Sequence, residues 1–352
     1  MRGGEKVLLE LCRLFPDARI HTLICDAGSV APEIEARVAE TSYLQGLRRL
    51  TNYRNLLPLF PSAITSLNIE AVDLVISSSH AVASGVRPPA GVPHLCYLHT
   101  PMRYLWGESD HYFAYGTGRN FKRAALAAIR PYLRRFDRQS AARVDQFVAN
   151  SETVRDRALA VYGRKAEVVY PPVDVGFYRP GPLAAPDGYY LSVSALEPYK
   201  RIDLLLESFR ELKRKLIVVG EGTLLHQLRR DAPPNVELTG RLEDEELRDL
   251  YQRCRAFILP GLEDFGIAAV EAQACGRPVI CYGKGGGVET VRHGVTGLHF
   301  AAQSQAALTS AVMEFERMEW SREAIRTHAE RFSTERFHSR MLSLARAAGG
   351  CA

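Results

Sequence analysis

The sequence predicts an α/β protein of two doubly wound, parallel-sheet domains. Three observations carry this. Short apolar strands alternate with helical segments, and the alternation runs through the chain twice. A proline- and glycine-rich stretch, residues 171–188, separates the two runs. Several strands end in glycine, serine or charged residues that open the next helix, the position where open parallel sheets bind ligands. At 352 residues the chain is long enough for two cores. The expected division is a first domain at 1–175, a linker at 176–188, a second domain at 189–330 and a terminal helix at 331–352.

In the first domain Gly3-Gly4 leads into a helix, EKVLLELCRLFP, with no strand before it. Residues 19–25 (RIHTLIC) read as a strand and 31–40 as a helix. Residues 44–67 mix Leu, Phe and Tyr with Arg and are interrupted by Pro58 and Pro61. They suit either an interfacial amphipathic surface or a core-facing helix with a solvated basic side. Strands follow at 73–79 and 94–99, the latter running into His99-Thr-Pro-Met-Arg-Tyr-Leu-Trp106. Residues 119–143 read as a long basic helix broken near Pro131. A strand at 145–150 precedes a helix capped by Ser151, and 165–170 is the last strand before the linker.

The second domain opens with a buried strand at 189–194, then Glu197-Pro-Tyr-Lys200-Arg201 and an amphipathic helix at 202–212. Strands at 216–219 and 236–240 end in Gly220 and in Gly240-Arg241-Leu242. A helix at 245–254 leads into residues 256–287, AFILPGLEDFGIAAVEAQACGRPVICYGKGGG. Here strand 257–259 gives way to a helix from about Phe265 to Cys275, stopped by Gly276. The next strand is 278–281, followed by a run of glycines. Asn235, Gly294 and Gly297 read as turn residues. From Gln305 onward the chain is helical.

Net charge is a mild +5. Basic residues cluster at Arg48, Arg49, Arg54, Lys122, Arg123, Arg130, Arg134, Arg135 and Arg138. No nucleic-acid module accompanies them, so no nucleic-acid partner is expected. An anionic membrane surface or a phosphorylated substrate fits the cluster. The seven cysteines lack metal-ligand spacing and most sit in apolar contexts, which favours a reducing compartment. There is no signal-peptide pattern and no apolar run of spanning length. A cytoplasmic location, peripheral on the membrane, is the expectation.

The helix after Glu263 is small and apolar almost all round, so it should be buried with Glu271 inside it. A buried carboxylate is costly unless paired. Glu263 comes eight residues earlier, at the mouth of the same helix, and at about 1.5 Å rise per residue the two carboxylates are expected roughly 12 Å apart along one axis. That suits the two ends of an elongated ligand. It is equally compatible with Glu263 capping a helix and Glu271 meeting a neighbouring arginine.

Glu263-Asp-Phe-Gly-Ile-Ala-Ala-Val-Glu271 resembles the E-x7-E motif of retaining GT-B glycosyltransferases, specifically glycosyltransferase family 4. The resemblance runs over nearly the whole chain. The His99–Trp106 motif is similar to that of bacterial mannosyltransferases of O-antigen and exopolysaccharide assembly. The resemblance implies the GT-B fold: two Rossmann-like domains facing across a cleft, with the last helix crossing back to the first domain. In that family a strand precedes the first glycine loop, so the first strand of the N-terminal domain is apparently missing before Met1.

For the site, the resemblance assigns Glu271 to the ribose of a nucleotide-sugar donor. Lys200, Arg201, the Gly3-Gly4 loop and the helix N-terminus near Gly266 meet its diphosphate. Glu263 and the backbone of Phe265, Gly266 and Ile267 hold sugar hydroxyls, and the turn Gly240-Arg241-Leu242 holds the base. His99 reaches the donor sugar, and Arg103, Tyr104 and Trp106 serve the acceptor side. The family's Gly-Arg pair is replaced here by Ser194-Ala195, which leaves Arg201 as the candidate second cation. The implied reaction is transfer of a sugar, with retention, from GDP-mannose to a glycan or lipid-linked glycan. A glycosidase-like nucleophile is disfavoured, because that needs a second carboxyl about 5 Å away. No D-x-D motif is present, so neither a metal nor another cofactor is expected. A UDP-sugar donor and a non-catalytic nucleotide-sugar-binding protein are the alternatives.

Overall fold

The computed structural model describes residues 3–107, 119–181 and 188–349. Linker residues 182–187, the chain beyond 349 and the side chains of Arg54 and Lys122 lie outside what it describes. The chain divides into two compact units, Met1–Pro172 with Glu335–Ala352, and Val173–Thr334.

Unit 1 contains a parallel pair, β1 (Ile20–Thr22) with β2 (Val38–Thr41). Separate from it is a four-stranded parallel sheet in the order β3 (Val75–Ser79), β4 (His94–Leu98), β5 (Gln146–Ala149), β6 (Ala166–Val168). All five residues of β4 are buried, as expected where helices cover both faces. The two-residue period sorts its side chains. Leu95 and Tyr97 pack with Val7 and Leu11 of helix Gly3–Leu14 and with Phe337, Met341 and Leu344 of helix Thr334–Ala347. Cys96 and Leu98 pack on the other face with Ala141, Val144, Val154 and Ala158. Each such large side chain withdrawn from water contributes roughly 1.5–3 kcal/mol.

Unit 2 is a six-stranded parallel sheet. Its strands are β7 (Tyr190–Val193), β8 (Leu216–Val219), β9 (Val236–Gly240), β10 (Phe257–Leu259), β11 (Val279–Tyr282) and β12 (Gly297–Phe300), in the order β12-β11-β10-β7-β8-β9. Chain progression runs outward from β7 through β8 to β9, then returns to β10 on β7's other side. The topological switch point therefore lies between β7 and β10. Helix Ile202–Leu212 supplies Leu205 and Phe209 to the core under the sheet.

Several local expectations differ from the fold. Residues 31–40 are not one helix. Pro32–Glu35 forms a single turn and Val38–Thr41 a strand, because pairing with β1 overrides the local helical pattern. Helix Arg119–Arg143 runs through Pro131 without a break. Pro131 and Ala127 are on the exposed side, where water can serve the carbonyl that the ring deprives of a partner. Segment 44–67 is three short pieces, Leu44–Arg48, Tyr53–Leu59 and Phe60–Thr65. Leu44, Leu56 and Ala63 are inside, while Leu50 is 82% exposed. Gly297 is not a turn residue. It sits in β12, where a Cβ would lie 1.8 Å from the Val279 carbonyl oxygen, so the strand can only pass there as glycine.

Of the cysteines, Cys12, Cys96, Cys254, Cys275 and Cys281 are buried free thiols and Cys25 is half-buried. Among the described residues no helix is long and apolar enough to cross a membrane.

Candidate functional site

The switch point places three loops together, each leaving the carboxyl end of a strand. The loop after β7 carries Glu197 to Arg201 as a tight turn, Pro198–Lys200. The loop after β10 carries Gly261 to Gly266. Gly261 lets them meet, since a Cβ there would stand 3.0 Å from Lys200 Cα and 3.1 Å from the Tyr199 carbonyl oxygen. The loop after β11 is locked to the second. Glu263 and Gly285 form a parallel bridge, and the Gly286 amide donates to the Glu263 carbonyl at 2.8 Å. A Cβ on Gly286 would lie 2.3 Å from Phe265 Cα. The glycine run after β11 therefore exists for close backbone approach.

Glu263 is in this loop and not on the helix axis. The helix is Ile267–Ala274, entered through Gly266 at φ 96°, a left-handed conformation that glycine adopts at no steric cost. The sequence-based separation of the two carboxylates assumed one continuous helix, and that premise does not hold. Lys200 Nζ donates to both Glu263 carboxylate oxygens, at 2.6 and 2.7 Å.

Glu271 is 3% exposed within the buried helix. A tyrosine compensates it: Tyr251, from helix Asp244–Arg253, donates its hydroxyl to Glu271 Oε2 at 3.0 Å. Burial holds the Tyr251 phenol well above its usual range, and the Glu271 charge adds to this. The hydroxyl therefore stays a donor. Tyr178 packs edge-on against Tyr251, centroids 5.7 Å apart. Sequence reasoning missed Tyr251. Its only signal is that Leu247 and Tyr251, four apart, form the buried stripe of an otherwise polar helix.

Arg201 is a non-glycine residue at φ 56°, and its guanidinium pairs with Asp203 at 3.2 Å in the first turn of the next helix. Expected to meet a diphosphate, it is engaged locally. Gly240, at φ 83°, ends β9, two strands from β7, with its carbonyl accepting from the Gly220 amide at 2.8 Å. Arg241 is exposed and Leu242 half-buried.

In unit 1, His99 follows β4 directly. Its amide donates to the Ser79 carbonyl at 2.8 Å, and its Nε2 is 2.8 Å from Ser78 Oγ. Tyr97 meets the ring edge-on at 5.2 Å. A Cβ on Gly4 would lie 3.6 Å from His99 Nε2, so the glycine-opened first helix begins beside this histidine. Gly3 is the first residue of that helix. Arg103, Tyr104 and Trp106 share one turn, Arg103–Trp106. Trp106 is not presented for stacking on a sugar. Its indole N–H donates to Asp137 at 2.6 Å, and the Arg134 and Arg138 guanidiniums stand 4.7 Å from its ring centroid. Tyr104 directs its hydroxyl to Met102 Sδ at 3.0 Å. Among the described residues no cluster of three or more His, Cys, Asp or Glu could hold a metal ion.

Two Rossmann-like α/β units with ligand loops at a switch point define a GT-B glycosyltransferase fold. The Glycosyltransferase Family 4 profile matches residues 1–177, half of the chain, and the profile of glycosyl transferases group 1 matches residues 179–332. The chain belongs to glycosyltransferase family 4. It is 24% identical over 346 residues to an uncharacterized glycosyltransferase of Methanocaldococcus jannaschii, covering 94% of this chain and 90% of that one. It is 30% identical to a D-inositol 3-phosphate glycosyltransferase of Gordonia bronchialis, over 63% of this chain and 57% of that protein. A GDP-mannose-dependent alpha-(1-6)-phosphatidylinositol monomannoside mannosyltransferase of Mycobacterium tuberculosis is 31% identical, over 47% of this chain and 50% of its own. Among solved structures, Anabaena Alr3699/HepE in complex with UDP-glucose superimposes with a TM-score of 0.69 at 18% identity, over 99% of this chain and 96% of that one.

Proposed function

We propose that this glycosyltransferase moves mannose from GDP-mannose, with retention, onto a glycan or lipid-linked glycan acceptor in cell-surface polysaccharide synthesis. The observation that carries the donor site is the meeting of Lys200, Glu263 and the Gly285-Gly286 backbone at the switch point, with Glu271 buried on the adjoining helix. In this reading Glu271 takes the ribose hydroxyls, Lys200 and the amides of the first turn after Gly266 take the diphosphate, and Glu263 takes sugar hydroxyls. Diphosphate and Glu263 then compete for the Lys200 ammonium.

The bond from the sugar's anomeric carbon to the phosphate oxygen breaks, and its electron pair leaves with the nucleoside diphosphate. The acceptor oxygen forms the new bond on the same face, and its proton passes to the departing phosphate. Stabilising that leaving group is the main electrostatic contribution asked of Lys200 and the helix N-terminus. His99 acts on the donor sugar. Mannose is supported by the His99–Trp106 pattern and by the mycobacterial relative. A UDP-sugar is the second reading, since no residue identified here reads the base. Turnover of GDP-mannose against UDP-glucose, with the anomer of the product determined, tests the proposal. Turnover of the first with retention is expected. Exclusive turnover of the second, or an inverted product, overturns the corresponding part.

A further inference from the structure

The His99–Trp106 segment is held from behind at three points. Arg157, on helix Glu152–Tyr162, donates to Thr100 Oγ1 at 2.7 Å. Arg134, on the long helix Arg119–Arg143, donates to the Leu105 carbonyl through Nε at 3.0 Å and through Nη2 at 2.6 Å. Asp137, one turn further along, accepts both the Trp106 indole N–H at 2.6 Å and the Tyr162 hydroxyl at 2.8 Å on the same oxygen, Oδ2.

Asp137 is 1% exposed. An apolar side chain would fill that space at less cost than a carboxyl, whereas a hydrogen-bonded polar group specifies one arrangement of its neighbours. The neighbours it fixes are the end of the His99 loop and two helices. We propose that Asp137 is a positioning residue for glycosyl transfer: through Trp106, and jointly with Arg134 at Leu105, it sets the pose of the loop that carries His99. This rests on the reading that His99 acts in transfer.

The test uses the full chain and its variants Asp137→Ala, Asp137→Asn, Trp106→Phe and His99→Ala. Hydrogen exchange is followed in peptides over residues 99–107 and, as a control, over 190–220. Release of GDP from GDP-mannose and of UDP from UDP-glucose is measured in parallel. In Asp137→Ala, exchange over 99–107 should rise at least about ten-fold with the control unchanged. Its kcat should fall about 10- to 100-fold, with KM for the donor within about two-fold. Asp137→Asn keeps an acceptor oxygen for both donors and should restore both readouts. If Asp137→Ala does not fold, Trp106→Phe keeps an aromatic ring but removes the indole donor, and should raise exchange in the same peptides. Native exchange in Asp137→Ala or, where that variant is unfolded, in Trp106→Phe overturns the proposal. Full loss of turnover in His99→Ala beside native turnover in Asp137→Ala overturns it alone. Native turnover in His99→Ala overturns the reading of His99, and this proposal with it.

Discussion

Lys200 and Glu263 form a two-pronged ion pair, with the ammonium 2.6 and 2.7 Å from the two carboxylate oxygens and side chains 17% and 11% exposed. Sixty-three positions separate them, and the glycine at 261 lets their loops touch. Removing one partner from a mostly buried pair strands the other charge. Lys200→Ala should therefore cost on the order of 3 kcal/mol of unit 2 stability. Glu263→Gln in the same chain should recover part of it. Urea unfolding of the two single variants and the double variant measures this coupling, and strict additivity would show that the pair does not interact.

Tyr251 should matter to Glu271 more than its remoteness in sequence implies. Tyr251→Phe removes the hydroxyl from a carboxylate that is 3% exposed. The expected loss is about 1–3 kcal/mol of stability, accompanied by weaker donor binding. A variant that binds the donor as the native chain does would show that Tyr251 does not orient the carboxylate.

Glycines in unit 2 should divide by the space around them. Gly286→Ala places a Cβ 2.3 Å from Phe265 Cα, so the loop must move and donor binding should be lost. At Gly294, with φ +73° and nothing within 4 Å, alanine meets only backbone strain. That costs about 1–2 kcal/mol and should leave donor binding intact. Thermal melts and donor titration of both variants separate the two cases.

Two buried groups give unit 1 opposing pH dependences. Burial pushes the Asp137 carboxyl up from 3.8 to about 6, although Trp106, Tyr162 and Arg138 favour its charged form. Its stabilising contribution is full below 3.8 and is lost as pH rises through about 6. Burial also holds the His94 imidazole down, from 6.5 to about 4. Its contribution is full above 6.5 and is lost as pH falls through about 4. Each is worth roughly 3 kcal/mol, so they nearly cancel between these values. Asp137→Asn leaves only the histidine, and its stability should rise between pH 4 and 6.5 more steeply than that of the native chain. Urea midpoints across that range would contradict this assignment if both chains gave parallel curves.

Much of the fold was legible because parallel strands buried on both faces, such as His94–Leu98 and Val279–Tyr282, are short apolar runs that need no partner to be recognised. Strands β2 and β12 were not, since Val38–Thr41 and Gly297–Phe300 acquire their identity only by pairing. The same limit applies in the site. Glu263, Glu271 and Lys200 were named from the resemblance of their segments to family motifs, not from spacing alone. The ion pair of two of them, the tyrosine that serves the third, and the engagement of Trp106 by Asp137 are tertiary facts. Spacing along one chain carries no information about contacts made across 20 to 63 residues.

The most direct test of the account is calorimetric titration of the native chain and of Glu271→Ala with GDP-mannose and with UDP-glucose. Saturable binding of GDP-mannose by the native chain, lost in Glu271→Ala while the variant unfolds cooperatively, is the predicted result. Equal affinity in a folded Glu271→Ala chain, or binding of neither donor by the folded native chain, would contradict the proposed donor site.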